Sequence, residues 1–453
     1  MSIYKPCDIR GPVAELSTAA YHAWGAALAR RFEPGTPFVI GGDVRTTTPA
    51  FLGALEAGLV EGGLRVLNTG VAPTPLVYFA RDAFHAAGCA IVTASHNPSD
   101  INGLKWMFGN SPPTEEDVDA LRRAAENPPD DARPRGTTAS VSPDAAYRDW
   151  LEESLADAPR PAGRSVVVDP GNGAWSGRAS ALLAALFPGI TVAAIHDAPD
   201  GNFPNRNADC SRPKYLTALA QAVVERGADL GIAFDGDGDR VAFIDHEGTG
   251  LTAEEATFVL INSFSEALRG RAFVYDIKFS DRVPEAAARF GASPLPERSG
   301  HAFIRARIQA TDALFGAEIS GHYFYGALDS RDDGLYTACR MLCHMAKLDR
   351  PLADLRRQCP TIHMTPDLRV PVPLDRQARV IDAVRQAFAD RPQGTVDGIR
   401  IDFPGGWALV RSSVTEPALT FRFEGADTKT MNGIIREVAT VLGRHEVALP
   451  NVM

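Results

Sequence analysis

Six short apolar runs, each closing on a small polar loop, limit most strongly what this chain can fold into: "PFVIGGD", "LRVLNTG", "CAIVTASH", "RSVVVDPGNG", "DLGIAFDGDGD" and "RAFVYDIK". Runs of this length read as buried strands. The Ala/Leu/Arg-rich stretches between them, such as 18–32 and 51–61, carry apolar residues at helical spacing. Strand and helix in alternation predict α/β layers with mainly parallel strands. In such sheets ligands bind at the loops beyond the carboxyl ends of the strands. Thr93, Ser95, His96 and Asn97, directly after the run "CAIV", are therefore placed where side chains are exposed and aimed.

At 453 residues, 45% of them hydrophobic, the chain exceeds what one core of ordinary size holds. The polar, proline-rich stretch "ENPPDDARPRGTTASVSPD" at 126–144 reads as a linker, with weaker breaks at "DHEGTG" and "RRQCPTIHMTPD". These divide the chain into α/β domains at 1–140, 146–246 and 250–360. A smaller α+β domain at 366–453 has strands in "LRVPVP", "GIRIDFPGGWALVRSS" and "ALTFRFEG" and helices at 376–390 and 429–442.

A net charge of -10 argues against a nucleic-acid or anionic-membrane surface, so any phosphate site must be focused in a local basic pocket. The start "MSIYKPCDIRGP" has charges and prolines where an export signal needs an apolar core, and the longest apolar passage, 181–195, is split by Pro188-Gly189. The six cysteines form no CxxC pair, which suits reduced thiols in a cytoplasmic protein. Cys339 and Cys343 share a helical face, where core packing is the plain reading.

In "GIAFDGDGDRVAFID", Asp235, Asp237 and Asp239 alternate with glycines. Three carboxylates this close repel one another unless a cation neutralises them, and hard oxygen ligands favour Mg2+. A calcium loop of the EF-hand kind would need Gly at 240 and Glu at 246, where the chain has Arg240 and His246. An aspartyl-phosphate phosphatase would also place an Asp-x-Asp pair after a strand, with the first Asp as nucleophile. A solvated acidic hairpin accounts for the glycines but not for three carboxylates followed at once by arginine. Read together, the two stretches suggest a phosphate carried on Ser95 that completes a metal site on the aspartates, with Lys105 and Arg240 balancing charge.

"TASHNP" with "NGLK", "DGDGDR", "GAEISGH" and "RSSVTEP", in this order, resemble the α-D-phosphohexomutases, specifically the phosphomannomutase/phosphoglucomutase group, from "CDIRG" at Cys7 to the last helix. The resemblance implies four domains around a central cleft, the last one mobile. It implies Ser95 as phosphoserine, Asp235, Asp237 and Asp239 as Mg2+ ligands with the Ser95 phosphate, and Arg10, Lys105 and His322 as the groups that handle charge and protons. It further implies Glu318 and Ser320 as readers of sugar hydroxyls, and Arg240, Lys278 and His301 along the cleft. Arg411, Ser413 and Thr415 then form a distal phosphate cradle. Alone, "RSSVTEP" offers a guanidinium, hydroxyls and backbone amides suited to a phosphate dianion.

Three positions depart from the family pattern: Val414 replaces an asparagine, Cys7 a tyrosine, and "FPNRNADC" lacks a histidine after "FP". The expected activity is reversible conversion of mannose or glucose 1-phosphate to the 6-phosphate through phosphoserine and a hexose 1,6-bisphosphate, which also serves as activator. The expected partners are phosphosugars alone, the protein being a monomer or weak dimer. The rivals are a mutase of phosphoglucosamine type and a non-catalytic sugar-phosphate sensor on the same scaffold.

Overall fold

The computed structural model describes residues 2–128, 133–413 and 417–450. Its first three sheets repeat one plan. In the first, the strands run Ile9–Pro12, Ile101–Phe108, Gly88–Val92, Pro37–Gly42, Arg65–Val71 and Thr137–Ser140 across the sheet, the last four mutually parallel. In the second the order is Val241–Asp245, Leu230–Phe234, Ser165–Asp169, Thr191–Ala194, and in the third Ser293–Glu297, Ala272–Asp276, Phe315–Ala317, Tyr323–Tyr325.

In each sheet a strand of the parallel set is followed by an antiparallel strand that pairs with it: Gly88–Val92 with Ile101–Phe108, Leu230–Phe234 with Val241–Asp245, and Phe315–Ala317 with Tyr323–Tyr325. The three turns between these strands carry Ser95, the three aspartates and "EISGH". Parallel α/β layers are thus present, with antiparallel strands at the edges. The fourth sheet is antiparallel throughout, ordered His363–Met364, Ala418–Gly425, Gly406–Ser412, Ile399–Phe403 and Gln393–Gly394, with Leu368–Pro371 also paired to Ala418–Gly425.

One continuous apolar core runs beneath the first three sheets, joining Ile91, Tyr147, Leu230, Phe243, Phe273 and Phe315. The last domain has its own core around Val384, Ile399, Phe421 and Val438. It meets the rest through a small apolar contact of Ile277 with Trp407 and Leu409. Polar links at Arg422–Glu254 (3.2 Å) and Arg400–Asp281 (2.6 Å) add to it.

Two elements differ from the sequence reading. The segment 126–144 is not only a linker, because Thr137–Ser140 pairs in parallel with Arg65–Val71. All four of its residues are exposed, so no apolar alternation marks the strand. The helix read at 51–61 begins earlier, as Thr48–Glu61, with Pro49 in its first turn, where a missing N–H costs nothing.

Candidate active site

The three inter-strand turns converge. Ser95 is buried with φ 54°, a conformation costly for a serine, and its surroundings hold it there. Its N–H donates to Thr93 Oγ1 (2.9 Å) and its carbonyl accepts from the Arg45 guanidinium (2.9 Å). Arg45, wholly buried, also donates to the carbonyls of Asn97 (2.6 Å) and Ile101 (2.9 Å) and to Asp43 Oδ2 (2.9 Å), so one side chain braces the whole turn. Ser95 Oγ donates to Asp235 Oδ2 at 3.0 Å, bringing the first turn onto the second.

The acidic turn needs its glycines. A Cβ on Gly236 would stand 2.6 Å from the Ser95 carbonyl, and Gly238 has φ +80° with its backbone against Trp175. Ligand atoms of Asp235, Asp237 and Asp239, all buried, lie within 4.8 Å of one another. Lys105 Nζ donates to Asp237 Oδ2 (2.8 Å) and Asp239 Oδ2 (2.6 Å), and Thr74 Oγ1 donates to Asp237 Oδ2 (2.7 Å). Asp237 Oδ1 is buried without a hydrogen bond.

Burial and the facing carboxylates of Asp239 and Asp237 push the Asp235 carboxyl well above its ordinary range. Burial acts the same way on Asp239, but Lys105 and His322 outweigh it and hold that group well below its ordinary range. One lysine therefore does not neutralise three carboxylates. An all-oxygen donor set with an orphaned carboxylate oxygen fits a hard divalent cation.

The third turn brings His322, whose Nε2 lies 3.2 Å from Asp239 Oδ1 and 3.5 Å from Asp332 Oδ2. Burial alone would depress the His322 imidazole; the Asp239 carboxylate more than offsets this, so its affinity for a proton is raised. Ser320 Oγ sits 2.8 Å from His322 Nδ1, and buried Glu318 keeps Oε2 without a hydrogen-bond partner.

Above this floor lies a cleft of about 240 Å³ to which all four domains contribute. Arg10, Arg240, Lys278, His301, Glu318, His322, Arg411 and Ser413 line it, together with Lys5, Asp367, Arg369 and Thr420. Six Lys and Arg side chains face three acidic ones there, in a chain of net charge -10, which is the focused basic pocket that a small anion requires. Arg10 pairs with Asp8, Arg411 with Asp397 (2.7 Å), and Lys278 with Asp367 (3.4 Å). Thr415 and Val414 lie outside the described residues.

The turns after parallel strands were visible in sequence as local motifs. Asp43, Arg45, Thr74, Asp332 and Arg369 were not, since each reaches the site from a distant segment.

A serine hydroxyl against a metal-compatible carboxylate cluster, beneath a basic cleft that also presents a glutamate, is an arrangement suited to phosphoryl transfer involving a small anion. Models of the four domains of the phosphoglucomutase/phosphomannomutase family match this sequence: α/β/α domain I at residues 2–129, domain II at 145–248, domain III at 253–362 and the C-terminal domain at 368–441. A phosphomannomutase/phosphoglucomutase of Pseudomonas aeruginosa is 34% identical over 94% of this chain and 92% of its own. A phosphomannomutase of Escherichia coli is 32% identical over 98% and 99%. The crystal structure of a family protein from Burkholderia thailandensis superposes with a TM-score of 0.90 at 28% identity, covering 99% of both chains. The chain belongs to the phosphoglucomutase/phosphomannomutase family.

Proposed function

We propose that this protein is a Mg2+-dependent phosphohexomutase that interconverts mannose or glucose 1-phosphate with the corresponding 6-phosphate. The observation that carries the reading is the 3.0 Å approach of Ser95 Oγ to Asp235 Oδ2, which sets a potential phosphate carrier against the carboxylate cluster. Asp235, Asp237 and Asp239 would hold the cation together with a phosphate oxygen on Ser95. When bound, Mg2+ supplies charge neutralisation to the transferring phosphoryl group.

The chain's own residues do the rest. The substrate phosphate is held in the distal cradle by Arg411 and Ser413, with Thr415 assigned by the family pattern, and Lys278 and His301 line the cleft beside it. Glu318 and Ser320 accept or exchange hydrogen bonds with sugar hydroxyls, which aims the free hydroxyl at Ser95. The bond between Ser95 Oγ and phosphorus breaks as the sugar oxygen bonds to phosphorus. The sugar's hydroxyl proton passes to His322, the departing Ser95 oxygen takes a proton from the Lys105 ammonium, and Arg10 balances charge, the second transfer returning both protons. The bisphosphate then turns end over end, and its other phosphate returns to Ser95 Oγ, so no phosphate is gained or lost. Arg240, close to Asp235 and His322, balances charge through both transfers.

The test is an assay of the purified protein with glucose 1-phosphate and mannose 1-phosphate plus a hexose 1,6-bisphosphate, coupled to intact-mass and peptide mapping. Turnover of both sugars with phosphate on Ser95, lost in Ser95→Ala, is expected. Phosphate found only on an aspartate would replace this reading with the phosphatase one.

A further inference from the structure

A chain of alternating charges links the third domain to the last one. Lys278, just beyond the strand Ala272–Asp276, faces Asp367 at 3.4 Å. Asp367 directly precedes the strand Leu368–Pro371 and faces Arg422 at 3.5 Å, and Arg422 in turn faces Glu254 of the third domain at 3.2 Å. Lys278, Arg422 and Glu254 are buried, whereas the Asp367 side chain is 25% exposed and lines the cleft together with Lys278. The other carboxylates of the cleft are Asp8, which pairs with Arg10, and Glu318, which faces His322.

The Asp367 contacts are loose. Charge-assisted hydrogen bonds lie near about 2.7–2.9 Å. Lys105 comes this close to Asp237 and Asp239, at 2.8 and 2.6 Å, but Asp367 approaches neither of its two cations so closely. Asp367 Oδ1 makes no hydrogen bond. Burial acts to raise the Asp367 carboxyl, but Lys278, Arg422 and Arg411 outweigh it and hold the group below its ordinary range, so it is an anion at neutral pH. A carboxylate 3.4 Å from a cleft lysine stands where a phosphate oxygen would compete for the same ammonium. When Lys278 turns to such a phosphate, Asp367 keeps Arg422 as its partner and Lys278 keeps Asp276, 3.7 Å away. The exchange therefore strands no buried charge.

We infer that Asp367 is a placeholder anion of the cleft, which occupies Lys278 while the cleft is empty and yields it to the phosphate of the sugar substrate. This rests on the mutase reading above and deepens it. Asp367 then acts through Lys278 as a positioning residue that sets how tightly the cleft grips phosphate. A bisphosphate that has to let go and be gripped again by its other end is served by a hold that an internal carboxylate keeps weak, because binding energy spent on the bound sugar alone does not speed the reaction.

The experiment titrates glucose 6-phosphate calorimetrically into wild type, Asp367→Asn, Asp367→Glu, Lys278→Met and the double variant combining Asp367→Asn with Lys278→Met. Steady-state kinetics with glucose 1-phosphate are run on the same proteins. Removing the competing carboxylate should tighten glucose 6-phosphate binding about threefold to thirtyfold and lower KM in step, without raising kcat. Asp367→Glu keeps the charge and should bind as wild type does. In the Lys278→Met background the Asn substitution should lose most of its effect. A merely structural carboxylate predicts the opposite sign, because loosening the last domain weakens binding. Unchanged or weaker binding by Asp367→Asn, tightening shared by Asp367→Glu, or tightening that persists in full without Lys278 overturns the inference. If wild type turns over no hexose phosphate, the mutase reading falls, while the titration, which needs no turnover, still judges Asp367. Glucose 6-phosphate bound by neither wild type nor Asp367→Asn overturns both. Should the Asn variant fail to fold, Asp367→Ser takes its place, and failure of both marks a structural charge and overturns the inference.

Discussion

Arg45 and Ser95 are 50 residues apart in sequence, yet the Arg45 guanidinium donates to the Ser95 carbonyl at 2.9 Å from a wholly buried position. The carbonyl so held belongs to a residue with φ 54°, and the same guanidinium is the counter-charge of buried Asp43. Burial pushes the Asp43 carboxyl up, and Arg45 and Thr93 pull it back. Arg45→Met strips the partner from a buried charge and frees the serine turn, so it should cost about 3–5 kcal/mol of stability. Urea unfolding followed by circular dichroism measures this. A loss below about 1 kcal/mol would mean the turn is held by other contacts.

Asp237 offers the orphaned oxygen of the carboxylate cluster. Mg2+ should raise the melting temperature of the wild-type protein, since a ligand at about a hundred times its Kd adds about 2.7 kcal/mol. Asp237→Asn removes one anionic ligand while leaving the shape of the side chain, so most of that rise should vanish and activity at limiting Mg2+ should fall. An undiminished Mg2+ response in the variant, read by calorimetry or thermal melting, would remove Asp237 from the metal site.

Glu318 Oε2 makes no hydrogen bond while lining the cleft, and faces His322 Nδ1 at 3.7 Å. If it grips O3 and O4, which glucose and mannose present alike, the two 1-phosphates should show kcat/KM values within about a hundredfold, a span of less than about 3 kcal/mol. Galactose 1-phosphate, with O4 turned away, should lose about 1–3 kcal/mol of that recognition. Glu318→Ala should depress both glucose and mannose activities together. Kinetics in which one sugar is inert, or in which the substitution harms only one, contradict recognition that ignores C2.

The thiols give a pH prediction. All six cysteines are free. Burial first, then acidic neighbours, pushes Cys7 and Cys359 up to about 12, and burial does the same to Cys89. Cys343 is pushed up to about 11, again by burial. A thiol raised in the folded state favours folding in full below its unfolded value near 9, and this contribution is lost as pH climbs towards 12. At pH 8 the native protein should therefore resist iodoacetamide over hours, whereas denatured protein should take up six labels. Stability should decline between pH 9 and 12. Mass spectrometry showing fast single labelling of the native protein would identify a thiol whose surroundings are more polar than those described.

Strands such as Gly88–Val92 and Leu230–Phe234 were legible because every residue in them is buried and the sequence shows an unbroken apolar run. Ser293–Glu297 was not, for it is an edge strand with Pro294 and Pro296, residues that read as breakers and are tolerated only where no inner ladder needs their N–H. At the site, Ser95 and the three aspartates announced themselves because hydroxyl and carboxylates sit in compact local motifs. Arg45, Thr74 and Asp332 each meet the site across 50 residues or more, or across a fold of the third domain, and a lone arginine, threonine or aspartate looks like any surface residue until the chain is folded.

The apolar contact tying the last domain to the rest, Ile277 with Trp407 and Leu409, has a kinetic consequence. With the two ion pairs beside it, this is a seam of few groups compared with the continuous core that joins the other three domains. Part of the proposed phosphate cradle rides on that domain. If the domain opens while the proposed bisphosphate is in the cleft, that sugar can diffuse away and leave Ser95 without its phosphate. On the proposed mechanism, the race between turning over inside the cleft and leaking from it sets how many cycles are completed before recharging from bisphosphate in solution is needed. Strengthening this small seam would lengthen that run, and would slow the exit of finished product by the same stroke.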